Sequence, residues 1–589
     1  MSEPPRSFPT PPGRRQALGR GAHLPGSPPM RSGAARSHRP QSRRAQLDQA
    51  SIGTAAGTLA SRLSGLVRLV VLAGALGGAG LGNAFNLANN TPNMVHDLVL
   101  GGILAATFVP VFVERLATRP EREATESVSA VVTLSLVVLA GASGALALGA
   151  PLVVDAYTTG AAAATPAAHA LAVDLLRWFA PQVFFYGVVS LASSVLATRD
   201  RFAIVGIVPV LNNLVSIVVF ALFALFAHHL AVSGTVPVSA LHHDQGLVTL
   251  LGLGTTLGVA VQAVALLPAL ARSGIRLRLV WRPSDPAVRT IVALSGWTFG
   301  FVVANQVAVF VLLALQYHLG GGAVSAYTYA YQFFVFPFAV VAVSVINVAS
   351  PDMARAYSAG RPQLMGDRFG TATRQTLALI LPATVGYLVL ARPAMVLLLQ
   401  HGAESHHATE LTAQVLALFA LGLPGFSVFL LATRAFQAMQ DTRTAFVCYA
   451  LENGLNILVA FLLYHPLGVR GLALSYSIAY TVGALVATAV LRERLGRIGG
   501  TSLLLSSARS LVLSVAMAVA VAVVSALLGS GTGALGWVKL LLSVATGALV
   551  YLGGAGAAAT VASWQTSRRS RNEERSRPKG AHARNPRRH

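Results

Sequence analysis

Charge is what this chain has least of. Asp, Glu, Lys and Arg together make up 11% of its 589 residues, where a soluble domain carries roughly 25%. A chain so poor in charge cannot cover its surface with groups that water solvates, which excludes a string of ordinary soluble domains. Acids are rarer still, 21 against 44 bases, and Lys stands only at positions 539 and 579. Bases that are almost all Arg, with abundant Ala and Gly, suggest a GC-rich bacterial genome. The single cysteine, Cys448, sits in an apolar run, so neither a disulfide framework nor a cysteine metal site forms within one chain. No G-x-x-x-x-G-K-[ST] phosphate loop occurs, which excludes a nucleotide-driven pump in one chain.

What remains is apolar: 54% of the residues are hydrophobic and the mean hydropathy is +0.62. The apolar residues fall into fourteen runs, approximately 51–77, 82–113, 127–153, 168–197, 203–230, 246–271, 287–318, 325–350, 372–400, 411–433, 444–465, 471–491, 505–529 and 534–562. Each is near the ~20 residues that cross a bilayer. In lipid every backbone polar group needs a partner within the segment, so these runs are expected to be helices. The expectation is an all-α polytopic membrane protein with about 14 transmembrane helices. Pro92 and Pro393 should bend or interrupt the two long runs that hold them.

The formal net charge of +23 fits either nucleic-acid binding or basic tails and loops, and its distribution decides. Alternate loops carry Arg115, Arg119 and Arg122, then Arg199 and Arg201, then Arg272, Arg276, Arg278, Arg282 and Arg289. The series continues with Arg355, Arg361, Arg368 and Arg374, then Arg434 and Arg443, then Arg492, Arg494 and Arg497. The other loops, 155–166, 228–245, 320–324 and 401–410, are nearly free of Lys and Arg; Arg392, Arg470 and Lys539 are the exceptions on that side. The positive-inside rule makes the first set cytoplasmic. Both termini then lie in the cytoplasm of a multi-pass plasma-membrane protein, which the even number of runs also requires. Nucleic acid is not the expected partner. Residues 1–46 and 565–589, rich in Arg and without apolar periodicity, are expected to be disordered cytoplasmic tails that touch lipid headgroups. The first has no compact apolar core with a cleavage site and does not read as a signal peptide. The pairs His228–His229, His242–His243 and His406–His407 lack metal-ligand spacing and read as solvated loop residues.

Polar groups inside the runs point to a cavity. Arg62 and Arg68 lie well within the first run, where a guanidinium costs at least ~2.5–3.5 kcal/mol unless it meets water or a partner. The second run holds Asn83, Asn86, Asn89, Asn90, Asn93, His96 and Asp97. Spacings of three and four put Asn89, Asn90, Asn93 and Asp97 on shared helix faces. Asp97 could pair with Arg62 or Arg68; two arginines beside one acid leave a weakly cationic space, and Arg is the side chain suited to bidentate contact with phosphate oxygens. Asp174 and Arg177 read as a local pair near the outer surface. Asn212, Asn213, Asn305 and Gln306 are further polar residues within runs, as is Gln332. Glu452, Asn453 and Asn456 cluster on the eleventh run, where the i,i+4 pair Glu452–Asn456 would bring oxygens to a monovalent coupling cation or serve as an interhelical hydrogen bond.

Five stretches carry a family resemblance: SRLSGLVR (61–68), AFNLANNTPNMV (84–95), TFVPVFVERL (107–116), ATRDRFAIVGIVPVLNN (197–213) and RAFQAMQDTRTAF (434–446). Over about residues 50–560 the chain resembles a divergent member of the MurJ or MviN family of lipid II flippases, within the multidrug/oligosaccharidyl-lipid/polysaccharide exporter superfamily. The resemblance implies an N-terminal lobe of six helices (51–276) and a C-terminal lobe of six (284–497) around a V-shaped cavity. Two last helices (505–562) would form a groove for a polyprenyl tail. It implies that Arg62 and Arg68 contact the substrate diphosphate, with Asn89, Asn90, Asn93, His96, Asp97 and Gln332 as further substrate-binding residues. The chain departs from the family where it has Asn83 for an acid, His96 for an Arg, Gly101–Gly102 for an acid–Gly pair, and Gln332 for an Arg.

The function implied is translocation of lipid II, an undecaprenyl-diphosphate-linked disaccharide-peptide, from the inner to the outer leaflet by alternating access. No catalytic residue, metal or cofactor is expected beyond a coupling monovalent cation at Glu452, Asn453 and Asn456. Two other readings compete: a drug/cation or polysaccharide-lipid exporter of the same superfamily, and a transport-dead scaffold that binds cell-wall synthesis proteins through its tails.

Overall fold

The structure is a computed structural model. It describes residues 40–576 except 102–110, 113, 115–117, 119, 162–164, 200, 233, 275–276, 295 and 529–532. Helices dominate, and a lone bridge between Val232 and Thr235 is the sole β pairing among the described residues. In chain order the helices that position the site are α1 (Pro40–Leu76), α2 (Leu81–His96), α3 (Glu121–Leu148), α4 (Ala150–Thr158), α5 (Pro166–Phe179), α6 (Pro181–Ala197), α7 (Phe202–Ile207), α8 (Pro209–Phe226), α9 (Val238–His243) and α10 (Gln245–Ala271). The second half of the chain adds α11 (Pro286–Leu294), α12 (Gly296–Leu319), α13 (Ala323–Pro337), α14 (Val343–Ser358), α15 (Pro362–Leu399), α16 (His406–Ala438), α17 (Thr442–Leu467), α18 (Val469–Leu495), α19 (Gly500–Leu527) and α20 (Gly533–Ser576).

Thirteen spans among the described residues are long and apolar enough to cross a membrane. The expected run 82–113 is not one of them. It begins as α2, widens into a π turn over Asp97–Gly101, and its remainder lies largely outside the described residues. Pro92 and Pro393 interrupt nothing. Each sits inside a continuous helix, as do Pro424 and Pro466, because neighbouring helices in a packed bundle can compensate a lost backbone bond.

The first-half helices pack on one another, α2 on α5 and α6, α10 on α6 and α8. The second-half core is α16 against α15 and α18. There Phe334, Phe419, Phe426 and Tyr476 interlock, with ring centroids 5.3–6.0 Å apart, a spacing at which aromatic edges and faces attract. The helices α19 and α20 lie against each other and against α15. They leave Leu504, Leu505, Leu541 and Leu549 on the outside, the inverted pattern that a lipid-facing surface requires.

Capping residues fix where helices begin. Thr165, Asp244, Ser405 and Asp441 each accept a backbone N–H from the first turn that follows, satisfying donors that a helix start leaves free. The connection from α10 to α11 is a strap laid along α3. Arg278 N–H donates to Ser129 Oγ (3.2 Å) and Val280 N–H to Thr133 Oγ1 (3.0 Å). Arg282 meets Glu126 at 3.2 Å, and Ser127 donates to Asp285.

Among the described residues helix runs from Pro40 and as far as Ser576; residues 1–39 and 577–589 of the expected tails lie outside them. The run RRSRNEERS is made largely of good helix formers, so it extends a helix already nucleated in the membrane. The loop residues Arg115, Arg119 and Arg276 lie outside the described residues.

Candidate functional site

Two walls enclose a cavity of about 610 Å³ between the halves of the chain. The first wall is built on α1 and α2. Asn213 on α8 sets the rotation of α1, donating from Nδ2 to Ser61 O (3.1 Å) and Ser64 Oγ (2.9 Å). With α1 so held, Arg62 and Arg68 both line the space. On α2 the amides Asn86, Asn89, Asn90 and Asn93 line it with Asp97, an i, i+3/i+4, i+7 stripe that makes one polar face on an otherwise packed helix. Asn93 donates back to Asn89 O at 3.2 Å. Tyr186 on α6 fills the corner between Arg68 and Asn93.

The opposite wall carries no charged side chain among the described residues. It consists of Asn305, Gln306 and Gln316 on α12, Tyr327, Tyr331 and Gln332 on α13, Asn453 and Asn456 on α17, and Tyr476 and Tyr480 on α18. The charged lining is therefore two guanidiniums and one carboxylate, all on one side.

Of the partners open to it, Asp97 takes neither Arg62 nor Arg68. Its carboxylate meets the ring of its neighbour His96, Nδ1 to Oδ1 3.1 Å, and among the described residues no ion pair joins it to either arginine. The cause lies at the α2 end, where the π turn begins at Asp97 and Ser190 on α6 holds the other ring nitrogen of His96 at 3.1 Å. His96 thereby leaves the lining and becomes a clamp between α2 and α6. The expected pair Asp174–Arg177 is present at 3.8 Å, and His242 joins it at 3.6 Å.

The three candidate cation ligands separate. Asn453 and Asn456 face the cavity. Asn453 donates to Tyr449 O (2.9 Å), and Asn456 Oδ1 accepts from Ser475 (2.9 Å). Glu452 lies behind them, 1% exposed, with neither carboxylate oxygen hydrogen-bonded.

At the end of the bundle that carries the Arg-poor loops, the two halves meet above the cavity. Asn86 Nδ2 donates to Ser325 Oγ (3.0 Å) and Ser325 N–H to Asn83 Oδ1 (3.2 Å), joining α2 to α13. His318 Nε2 lies 3.0 Å from Thr159 O. The loop after α15 docks on the end of α1, where Ala403 N–H donates to Gly74 O at 2.7 Å. Only glycine fits at the centre of this seam. Gly402 has φ +61°, and a Cβ there would stand 2.2 Å from Gly74 O; one on Gly77, φ +72°, would stand 2.6 Å from Ala403 O.

The sequence profile of the family described as lipid II flippase MurJ matches residues 72–542. The chain belongs to the MurJ family. A probable lipid II flippase MurJ of Rhizobium meliloti (strain 1021) is 28% identical over 459 residues, 76% of this chain and 81% of that protein. The lipid II flippase MurJ of Burkholderia cenocepacia is 28% identical over 451 residues, 74% and 82% respectively. A solved structure described as lipid II flippase MurJ in an inward closed conformation aligns with a TM-score of 0.66 at 20% identity, over 86% of this chain and 98% of that one. An inward-facing multidrug resistance MATE family transporter of the MOP superfamily aligns at 0.60 with 15% identity, over 75% and 96%. At those identities the two structures establish the fold.

Within this MurJ fold, seven of the eight residues expected to bind substrate line one cavity: Arg62, Arg68, Asn89, Asn90, Asn93, Asp97 and Gln332. The departure at Asn83 removes an acid's charge and keeps an acceptor, which the Ser325 N–H uses. The aromatic side of the cavity was missed. Its signal was present as two tyrosine pairs four residues apart, 327/331 and 476/480, each one helical face.

Proposed function

We propose that this membrane protein flips lipid II from the inner to the outer leaflet by alternating access between its two halves. The observation that carries this reading is the placement of Arg62 and Arg68 on one wall of the cavity, with the lone lining acid turned to His96. Two unneutralised guanidiniums suit the oxygens of a diphosphate, which each can hold in a bidentate fork. The amides and phenols opposite offer donors and acceptors to sugar hydroxyls and peptide groups. A cationic drug would meet the wrong sign of charge. A scaffold with no transport role would have no need to keep two guanidiniums within a membrane span, where each is costly.

In this reading the Arg-rich loops and both termini face the cytoplasm, and the seam at Gly74–Ala403 shuts the outer side. The headgroup enters from the cytoplasmic side, the seam parts, and the groove along α19 and α20 holds the polyprenyl tail in lipid. No bond of the substrate is made or broken, so no side chain acts as a catalyst. Glu452, buried behind Asn453 and Asn456, is the place for a coupling monovalent cation, since a buried carboxylate without a partner favours a bound positive charge. The basic tails associate with lipid headgroups and offer a contact for cell-wall synthesis proteins.

Complementation tests the proposal. Expression in a strain depleted of its lipid II flippase should restore growth and bring lipid II to the outer face. Correct membrane insertion with no lipid II on the outer face would refute it.

A further inference from the structure

The loop that closes the outer seam ends in an acid. Glu404 follows Ala403, lies between α15 and α16, and is 5% exposed. Its side chain crosses from the second half of the chain to the first: Oε1 comes within 2.7 Å of where a Cβ on Gly78 would sit, in the turn between α1 and α2. Neither carboxyl oxygen has a hydrogen-bond partner.

The surroundings offer no countercharge. The turn at Gly77–Gly78 and the facing part of α2, Asn83 and Asn86, hold no titratable group. From α13 the phenol of Tyr329 lies near. On its own side His401 packs its ring on Gly74, while His406 and His407 are exposed at the head of α16. The neighbouring Arg392 is taken by Glu410 at 2.8 Å. Among the described residues no Lys, Arg or His reaches the carboxyl.

We propose that Glu404 is a proton-binding site of the outer seam: it holds a proton while the halves are closed and releases it to the extracytoplasmic water when they part. A carboxylate buried with neither partner nor hydrogen bond is unfavourable, and neutralising it is the available remedy. Burial alone pushes this carboxyl up to about 8. Once the loop lifts from Gly74 and Gly78, water reaches the group and the ordinary Glu value near ~4.3 applies.

The direction follows from proton counting. The closed form binds the proton more tightly, so acid on the outer side favours closure. Between those two values the closed-to-open ratio falls by up to about tenfold per pH unit as the pH rises. Above the upper value the closed form bears a buried anion and the dependence levels off. Glu404 does not line the cavity, and opening returns its proton to the side it came from. The site therefore senses outer pH and sets how long the carrier waits closed; it moves no net proton across the membrane. The assignment of the outer side rests on the orientation given above.

Spin labels at Ala156→Cys and His407→Cys, in a Cys448→Ser background, report the seam from both halves. Electron–electron distance distributions are recorded in lipid nanodiscs without lipid II, from about pH 5.5 to about pH 9, a range that spans most of the interval between the two carboxyl values. The parent should lose its short-distance population as the pH rises. Glu404→Gln, neutral at every pH, should stay closed throughout, and Glu404→Ala, should the first variant insert poorly, should likewise show a flat profile. A parent without pH response, or variants that keep the parent's response, would overturn the proposal. In infrared spectra at neutral pH the parent should show more protonated-carboxyl absorbance than Glu404→Gln, any band of the buried Glu452 being common to both; identical carboxyl bands in the two refute the assignment. None of these readouts requires flipping, so a failed complementation would leave them interpretable.

Discussion

Ala403 donates its backbone N–H to the carbonyl of Gly74 across 2.7 Å, and this one bond ties a loop of the second half of the chain to the end of the helix that carries both cavity arginines. Gate and binding wall thus share α1. A change that loosens the loop alters access to the cavity without touching a lining residue.

Substitution at Gly402 tests this directly. A methyl group there meets the backbone oxygen of Gly74 at 2.2 Å, so Gly402→Ala should destabilise the closed seam by about 1–3 kcal/mol, the range for an overpacked site. A cysteine at Asn90, in the Cys448→Ser background, should then react faster with an impermeant thiol reagent added outside. Unchanged labelling would mean that the seam tolerates the methyl group.

The arginines should be individually required. Arg62→Ala and Arg68→Ala should each abolish complementation at unchanged membrane levels, and Arg→Lys should restore part at most, because an ammonium cannot form the bidentate fork. Full complementation by both alanine variants would remove the diphosphate role.

Asp441 caps α17 through Thr444 N–H (3.0 Å) and also pairs with Arg494. Burial tends to raise this carboxyl, but the Thr444 backbone and hydroxyl bonds and the Arg494 guanidinium outweigh it and hold it below the ordinary range. A depressed carboxyl stabilises the fold above its unfolded value and loses that effect only as the pH falls through its folded value. Thermal stability in detergent should therefore be insensitive to this group near neutrality. Asp441→Ala should cost about 1–2 kcal/mol and Asp441→Asn less, since Asn caps as well as Asp. Equal losses would show that the ion pair outweighs the cap.

Voltage should matter. Among the described residues two cationic side chains and one acid line the cavity, and the acid offsets one of the two, so the lining leaves a diphosphate incompletely neutralised and transport should carry net negative charge outward. Each such charge gains about 2.3 kcal/mol per 100 mV of inside-negative potential. Collapsing the potential with valinomycin and potassium at constant pH gradient should slow the appearance of lipid II outside. A constant rate would point to the cation site at Glu452 instead.

Much of this was legible in the sequence because a membrane leaves a coarse imprint. Hydropathy marks spans, and a guanidinium at Arg62 or Arg68 stands out where charge is costly. The α2 amides were legible for the same reason. What escaped was decided by contacts between distant segments. Asp97 turned to His96 because Ser190, far along the chain, holds the ring. Glu404 sits in a polar loop of ordinary composition, and only the approach of Gly78 reveals that it is buried. The tyrosine wall was visible as spacing but carried no charge to draw notice.

The π turns have a mechanical consequence. One follows α2 at Asp97–Gly101 and the other follows α13 at Phe338–Ala342, and α2 and α13 are the helices that Asn86 and Ser325 join. A π turn takes an extra residue per turn, so at the second one α13 and α14 are out of step and can pivot while each keeps its own hydrogen-bond ladder. That jaw of the seam is thus jointed, roughly three turns from where the jaws touch. A small swing at the joint is enlarged at the tip, so the carrier can unclasp by bending one of its rods and leave the rest of the bundle packed.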